Sequence, residues 1–155
     1  MTTSGRYQKI LVPLDGSEWA QRAIPHAVDI AHSHPEAELV LLTAIVPPTR
    51  DFAEQLAFTG EDGQTQIARE QIKQYLIGVR GDLRSEAINV TIRLSEGTQV
   101  ADAICDTIQR EAIDLVVMST HGRTGVARLL FGSVARDVLE RVTVPVLLIR
   151  PDQEA

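Results

Sequence analysis

Five short aliphatic runs, separated by segments of helical periodicity, constrain the fold of this chain more than any other feature. Each has the length and β-branched content of a strand. They are Lys9–Leu14, Leu39–Val46, Asn89–Leu94, Asp114–Ser119 and Val144–Ile149. The first, second, fourth and fifth are apolar at consecutive positions, which predicts strands buried on both faces. The third alternates apolar with polar residues, which predicts an edge strand.

Helical patterns fill the segments between these runs. They cover Glu18 to about Ser33, about Glu61 to Glu86, Val100 to Ile108, and Val134 to Val142. Strands that alternate with helices are joined by right-handed crossovers and pair in parallel. The sequence therefore predicts an α/β fold, an open doubly wound five-stranded parallel sheet with helices on both faces. Ligands of such sheets bind at the carboxyl ends of the strands, where the winding reverses.

Composition narrows the class of protein. The length of 155 residues fits a single domain over 1–155, with an ordered core from about 6 to 150. The formal net charge is −6 and no Lys or Arg run forms a basic stripe, so we expect no nucleic-acid partner. No apolar signal segment or membrane-length stretch is present in the sequence, so we expect a cytoplasmic protein with no membrane partner.

Polar and glycine residues follow two of the predicted strands. Asp15 comes just after the first strand, where it can accept hydrogen bonds from a ribose or base edge, or only cap the first helix, for which Ser17 is the other candidate cap. Both interpretations stay open on spacing alone. Gly132 and Ser133 open the last helix, so free N–H groups and a hydroxyl form an anion site there. The alternative is a glycine-rich turn with an ordinary helix start.

The loop after the fourth strand resembles the nucleotide loop of the universal stress protein family. ATP-binding members of that family carry glycine, two residues, glycine, nine residues, then glycine and serine or threonine. The matching stretch is Ser119–Gly125, followed by Gly132 and Ser133. The opening Ile10–Ser17 and the closing Val144–Ile149 extend the resemblance over nearly the whole chain. It implies the adenine nucleotide alpha hydrolase-like form of the predicted fold.

The resemblance also implies a ligand and a partner. The ligand is ATP, with Mg²⁺ or Mn²⁺ on its phosphates and no metal site of the protein itself. The partner is a second copy, paired through Val144–Ile149. The implied nucleotide-binding residues are Pro13, Leu14, Asp15, Ala44, Met118, Ser119, Gly122, Arg123, Gly125, Gly132, Ser133 and Val134.

The chain departs from the family pattern at two places. Ser119 replaces the first motif glycine, and we expect it to tune nucleotide binding without abolishing it, with its hydroxyl as a candidate donor to the ligand. Thr43 and Ala44 replace a common histidine and valine after the second strand, which leaves a roomier adenine pocket. A valine at position 132 is expected to clash with the phosphates.

Other nucleotide and phosphate folds are excluded by missing residues. A receiver domain needs a lysine after the fifth strand, and a P-loop needs a glycine loop ending in lysine; neither is present. No paired carboxylates or activated nucleophile are evident, so we expect at most slow ATP hydrolysis. Two hypotheses remain, an ATP-binding regulatory dimer and a protein-interaction module that binds no nucleotide. The module would use the last strand and the connection from Pro47 to Gly60.

Overall fold

The structure contains five strands and five α-helices within the residues it describes. This computed structural model describes residues 6–45, 61–96, 99–121 and 131–150, with residues 61–66 and 68 described by backbone alone. The strands are β1 (Lys9–Pro13), β2 (Glu38–Ile45), β3 (Asn89–Glu96), β4 (Leu115–Ser119) and β5 (Val146–Ile149). The helices are α1 (Glu18–Gln21), α2 (Ala23–His32), α3 (Glu61–Asp82), α4 (Val100–Arg110) and α5 (Ser133–Arg141), with a 3₁₀ turn at Arg84–Glu86.

The strands form one sheet in the order β3-β2-β1-β4-β5, and every pair is parallel. From β1 the chain adds β2 and then β3 on one side of the sheet. It then crosses back and adds β4 and β5 on the other side of β1. The winding therefore reverses between β1 and β4. This arrangement confirms the predicted open, doubly wound parallel sheet and fixes where its ligand crevice lies.

Two hydrophobic cores cover the two faces of the sheet. Ile10 and Val12 of β1 belong to the core that includes Leu76 of α3, together with residues of α2. Leu11 belongs to the opposite core, which includes Val138 of α5 and residues of α4. Because neighbouring residues of a strand point to opposite faces, a strand between two helical layers must be apolar at consecutive positions. This requirement explains the unbroken aliphatic runs of β1, β2 and β4.

Both edge strands are only partly covered. β3 is an edge strand, as its alternating pattern predicts. The prediction that the last strand is buried on both faces is wrong, because β5 forms the other edge and Leu147 is 38% exposed. Val146 and Leu148 pack on the core beneath α4 and α5, whereas the Leu147 side is open. β5 also begins later than predicted, after Pro145, which has no N–H for a strand ladder.

The first predicted helix is divided into α1 and α2 at Arg22. Pro25 gives a physical reason, since proline has no N–H to donate to the carbonyl of Gln21 and its ring crowds that carbonyl. In the first turn of α2 the same proline is tolerated, because first-turn N–H groups have no helical acceptor. Within the described residues, no helix has the length and apolar character needed to cross a membrane.

Candidate functional site

A cavity of about 660 Å³ opens at the carboxyl ends of β1, β2 and β4, beside the reversal of the winding. Its volume lies within the range of small-molecule and cofactor sites. Four segments supply most of its walls, and three helices supply the rest. The lining consists of residues 13–16, 42–45, 118–121 and 132–135, with Ala20, Gln71, Ile72, Tyr75, Val100 and Ile104.

Asp15 lines the cavity and also organises the turn into α1. Its Oδ1 accepts hydrogen bonds from the Ser17 N–H at 2.9 Å and the Ser17 hydroxyl at 2.5 Å. Ser17 in turn caps α1, because its Oγ accepts from the Ala20 N–H at 3.2 Å. Gly16 between them has φ of 84°, a conformation that favours glycine. Thus Ser17 is the helix cap, and Asp15 holds that cap while it faces the cavity.

The end of β4 is fixed by hydrogen bonds within a few residues. The Ser119 hydroxyl donates to the carbonyl of His121 at 2.8 Å, and its oxygen accepts from the His121 N–H at 3.3 Å. Thr120 and His121 are both buried, and the Thr120 Oγ1 lies 2.8 Å from His121 Nδ1. The Ser119 hydroxyl proton is therefore donated to the backbone of the same chain. The imidazole of His121 is held by this contact with the neighbouring side chain.

The start of α5 approaches the end of β4 very closely. The Gly132 N–H donates to the Thr120 carbonyl at 2.7 Å, and a Cβ built on Gly132 would lie 2.8 Å from the same oxygen. Real Cβ atoms essentially never come so close to a backbone oxygen. The sequence-based interpretation of Gly132→Val therefore needs correction. A valine there would displace the protein's own backbone, so lost binding in that variant would say nothing specific about phosphates.

The first turn of α5 presents backbone donors to the cavity. Gly132 is the N-cap and has no side chain to accept from the first-turn N–H groups. These N–H groups have no acceptor within the helix either. Ser133, Val134 and Ala135, which carry them, all line the cavity. A helix N-terminus of this kind attracts anions through its donors and its dipole.

The cavity brings together most of the site residues predicted from sequence. Gly122, Arg123 and Gly125 lie outside the described residues, so their placement stays a prediction. The remaining predicted residues all line the cavity; they are Pro13, Leu14, Asp15, Ala44, Met118, Ser119, Gly132, Ser133 and Val134.

Several lining residues were not predicted. Gln71, Ile72 and Tyr75 of α3 and Val100 and Ile104 of α4 form part of the wall. Helical spacing identifies Ile72, Tyr75, Val100 and Ile104 as residues of apolar faces, but spacing does not say which turn of a helix lies beside the end of a sheet. Thr43, named above with Ala44 at the expected adenine pocket, lines the cavity too. It is a polar residue inside the aliphatic run of β2.

The charge of the described lining is sparse. Asp15 is its one carboxylate, and no Lys or Arg belongs to it. Among the described residues, no group of three or more His, Cys, Asp or Glu side chains could hold a metal ion. On α4, outside the cavity, burial is the main cause that raises the pKa of the half-buried Cys105, with Arg141 opposing it. A raised pKa leaves little thiolate at neutral pH, so this thiol is a poor nucleophile.

Comparison with known proteins identifies the family. The sequence model described as the universal stress protein family matches residues 6–150. The chain belongs to this family. Universal stress protein MJ0531 of Methanocaldococcus jannaschii is 28% identical over 144 residues, which span 93% of this chain and 82% of that relative.

Solved structures agree with the fold of this universal stress protein. Hypothetical protein MJ0577, a test case of structural genomics, has a TM-score of 0.81 and 25% identity, covering 96% of this chain and 99% of its own. A universal stress protein in complex with cAMP has a TM-score of 0.68 and 24% identity, with 94% and 98% covered. One from Archaeoglobus fulgidus in complex with dAMP has a TM-score of 0.62 and 20% identity, with 92% and 98% covered.

Proposed function

We propose that this universal stress protein binds ATP in the cavity at the carboxyl edge of its sheet and acts as a regulatory, stress-response homodimer. The observation that carries the proposal is that a carboxylate, Asp15, and the open first turn of α5 line one cavity. A nucleotide has a sugar and base with polar hydrogens and an anionic phosphate chain. The carboxylate and the open helix start therefore match the two parts of the ligand.

The phosphate end of the proposed site is the start of α5. Backbone N–H groups from residues 133–135 and the Ser133 hydroxyl supply donors, and the helix dipole adds a favourable field. No cationic side chain lines the described part of the cavity. Mg²⁺ or Mn²⁺ carried on the phosphates would lower the ligand's charge there, and Arg123 is the residue that the family motif offers for the same purpose.

The adenosine end lies across the ends of β1, β2 and β4. Pro13, Leu14, Ala44 and Met118 provide apolar surface for a base, and Asp15 provides an acceptor for a polar hydrogen of the sugar or base. The cAMP and dAMP held by two structural neighbours are both adenine nucleotides, which supports an adenine ligand here. Asp15 stands alone as a lining carboxylate in the described residues, so we propose binding without rapid hydrolysis.

Mass spectrometry of nucleotide released from freshly purified protein tests the proposal first, followed by calorimetric titration with ATP and Mg²⁺. We expect copurified adenine nucleotide or a binding isotherm. Ser133→Ala removes only a hydroxyl at the phosphate end and should weaken ATP binding about tenfold. The matched control is Ser33→Ala at the end of α2, where an exposed hydroxyl bonds Asp29. Absence of nucleotide and of binding heat in the wild type would refute the proposal.

The interaction-module hypothesis has its own supporting observation. β5 is an edge strand, and Leu147 on it is a large exposed apolar side chain. An uncovered aliphatic edge invites pairing with another chain. We therefore propose β5 as the homodimer surface, whether or not nucleotide is bound. The other predicted surface, Pro47 to Gly60, lies outside the described residues and stays a prediction.

A further inference from the structure

One buried hydroxyl in the cavity wall has no hydrogen-bond partner. Thr43 lies on β2, is 6% exposed and lines the cavity. Its Oγ1 is the only buried side-chain nitrogen or oxygen without a partner in the described part of the chain. A buried polar atom without a partner costs folding free energy, and native proteins retain few of them. Thr43 therefore calls for an explanation other than the stability of the fold.

Other buried threonines in the described residues show what is usual for this protein. The Thr107 hydroxyl donates to the Ala103 carbonyl at 2.8 Å, and the Thr120 hydroxyl lies 2.8 Å from His121 Nδ1. Thr107 lies on α4 and does not line the cavity. Thr120 lines the cavity as Thr43 does, but its hydroxyl has a partner within the protein. Of the buried threonines in the described residues, Thr43 alone has a hydroxyl without a partner.

The position of Thr43 indicates which part of a ligand it can reach. Gly132 bonds Thr120 at the end of β4, and β1 lies between β4 and β2. Thr43 is therefore two strand spacings, about 10 Å, from the start of α5 across the sheet edge. With phosphates at the start of α5, the opposite end of a nucleotide lies toward β2. That end is the base.

We infer that the Thr43 hydroxyl hydrogen-bonds the base of the bound adenine nucleotide and makes Thr43 a specificity-determining residue; this rests on the function proposed above. Because Oγ1 is itself buried, the contact includes a turn of the Thr43 side chain to another staggered χ1 position. Such a turn moves the hydroxyl without moving the β2 backbone. The ligand then supplies the partner that the protein lacks.

The test compares Thr43→Val with Thr43→Ser, by thermal melting without ligand and by calorimetry with ATP and with ADP. Valine keeps the shape and removes the hydroxyl, so the unliganded melting temperature should rise by about 2–4 °C. The same change should raise the Kd for both nucleotides about tenfold. Serine keeps the hydroxyl, so Thr43→Ser should bind both nucleotides nearly as tightly as the wild type.

The opposite signs of the two effects distinguish a ligand contact from a structural hydroxyl. If Thr43→Val melts lower and binds ATP normally, the hydroxyl serves the fold and the inference is overturned. A loss seen with ATP but not with ADP would place the hydroxyl at the γ-phosphate, which also overturns it.

Thr107→Val is the matched control, since it removes a paired, buried hydroxyl away from the cavity. It should leave the Kd unchanged and give no rise in melting temperature. An equal loss of affinity in Thr43→Val and Thr107→Val would overturn the inference. Wild-type protein that binds neither nucleotide would refute the proposed function, whereas wild-type binding that Thr43→Val leaves intact refutes only the role of Thr43.

Discussion

Ser119 occupies the place of a motif glycine and uses its hydroxyl on its own chain. It donates to the His121 carbonyl and accepts from the His121 N–H, so both backbone polar groups of His121 bond the same hydroxyl. A glycine at this place could make neither contact. The serine that departs from the family pattern therefore holds the backbone at the end of β4, beside Thr120, whose carbonyl accepts from the Gly132 N–H at the start of α5.

Replacing Ser119 with alanine tests this interpretation. The Ser119→Ala variant should lower the free energy of unfolding by about 1–2 kcal/mol, because backbone groups of His121 lose a partner in a half-buried place. Chemical denaturation monitored by circular dichroism gives this difference. Ser119→Gly should lose about 0.5–1 kcal/mol more, since glycine adds backbone freedom to the unfolded and partly ordered states. An alanine variant as stable as the wild type would show that the two Ser119–His121 hydrogen bonds contribute nothing to stability.

At the scale of single residues, the sequence indicated which residues line the cavity better than it indicated why each one is there. The small size of Gly132 was attributed to phosphates, yet the structure shows that the Thr120 carbonyl already excludes a side chain there. Thr43 is visible in the sequence as a polar residue in an apolar strand, but its lack of a partner depends on how its surroundings pack in the folded chain. Such three-dimensional facts have no signature in local spacing.

At the scale of elements, periodicity predicted all five described strands and a helical segment in each connection between them. It failed at the ends of elements and in the division of the first helix. Aliphatic runs mark β1 to β5 because two helical layers demand them. The division of the first helix at Arg22 was missed, although Pro25 was visible in the sequence. A proline is compatible with a first turn or with a kink, and only the packing of α1 decides between them.

The glycines of α3 offer a prediction about an element. Gly78 and Gly81 lie within the helix, and a Cβ added at either meets no atom within 4 Å. Alanine has a higher helix propensity than glycine and lowers the entropy of the unfolded chain. The double variant Gly78→Ala/Gly81→Ala should therefore gain about 1–2 kcal/mol of unfolding free energy, measured by chemical denaturation.

Gly16 is the contrasting control for that pair. Its φ of 84° lies in the region that side chains rarely adopt, in the turn that joins Asp15 to Ser17. Gly16→Ala should destabilise the protein, by about 1 kcal/mol or more. Stabilisation by all three changes would mean that backbone conformation does not decide the effect of these glycines.

At the scale of the whole molecule, alternation of strands and helices predicted the parallel sheet. The consecutive apolar residues of β5 predicted burial on both faces, which is wrong. An aliphatic edge strand that pairs with a second chain has the same composition as a central strand. Sequence alone cannot separate them, because both bury apolar side chains, one within a chain and the other between chains. Leu147, at 38% exposure, is where the two cases differ in the structure.

Leu147→Lys tests the proposed dimer. A lysine on an edge strand opposes pairing with another edge, so the variant should be a monomer of about 17.0 kDa, and the wild type should have twice that mass. Light scattering after size-exclusion chromatography measures both. Leu139→Lys is the matched control, because Leu139 on α5 is 40% exposed and does not lie on the edge strand. It should leave the mass unchanged.

The same variant separates assembly from ligand binding. Leu147 is not among the described residues that line the cavity. A monomeric Leu147→Lys protein should therefore bind ATP with nearly wild-type affinity. If affinity falls together with the dimer, the second copy must order part of the site, and the cavity would be an incomplete description of it. A wild-type protein that is already monomeric would remove β5 as the homodimer surface and leave nucleotide binding to be judged by itself.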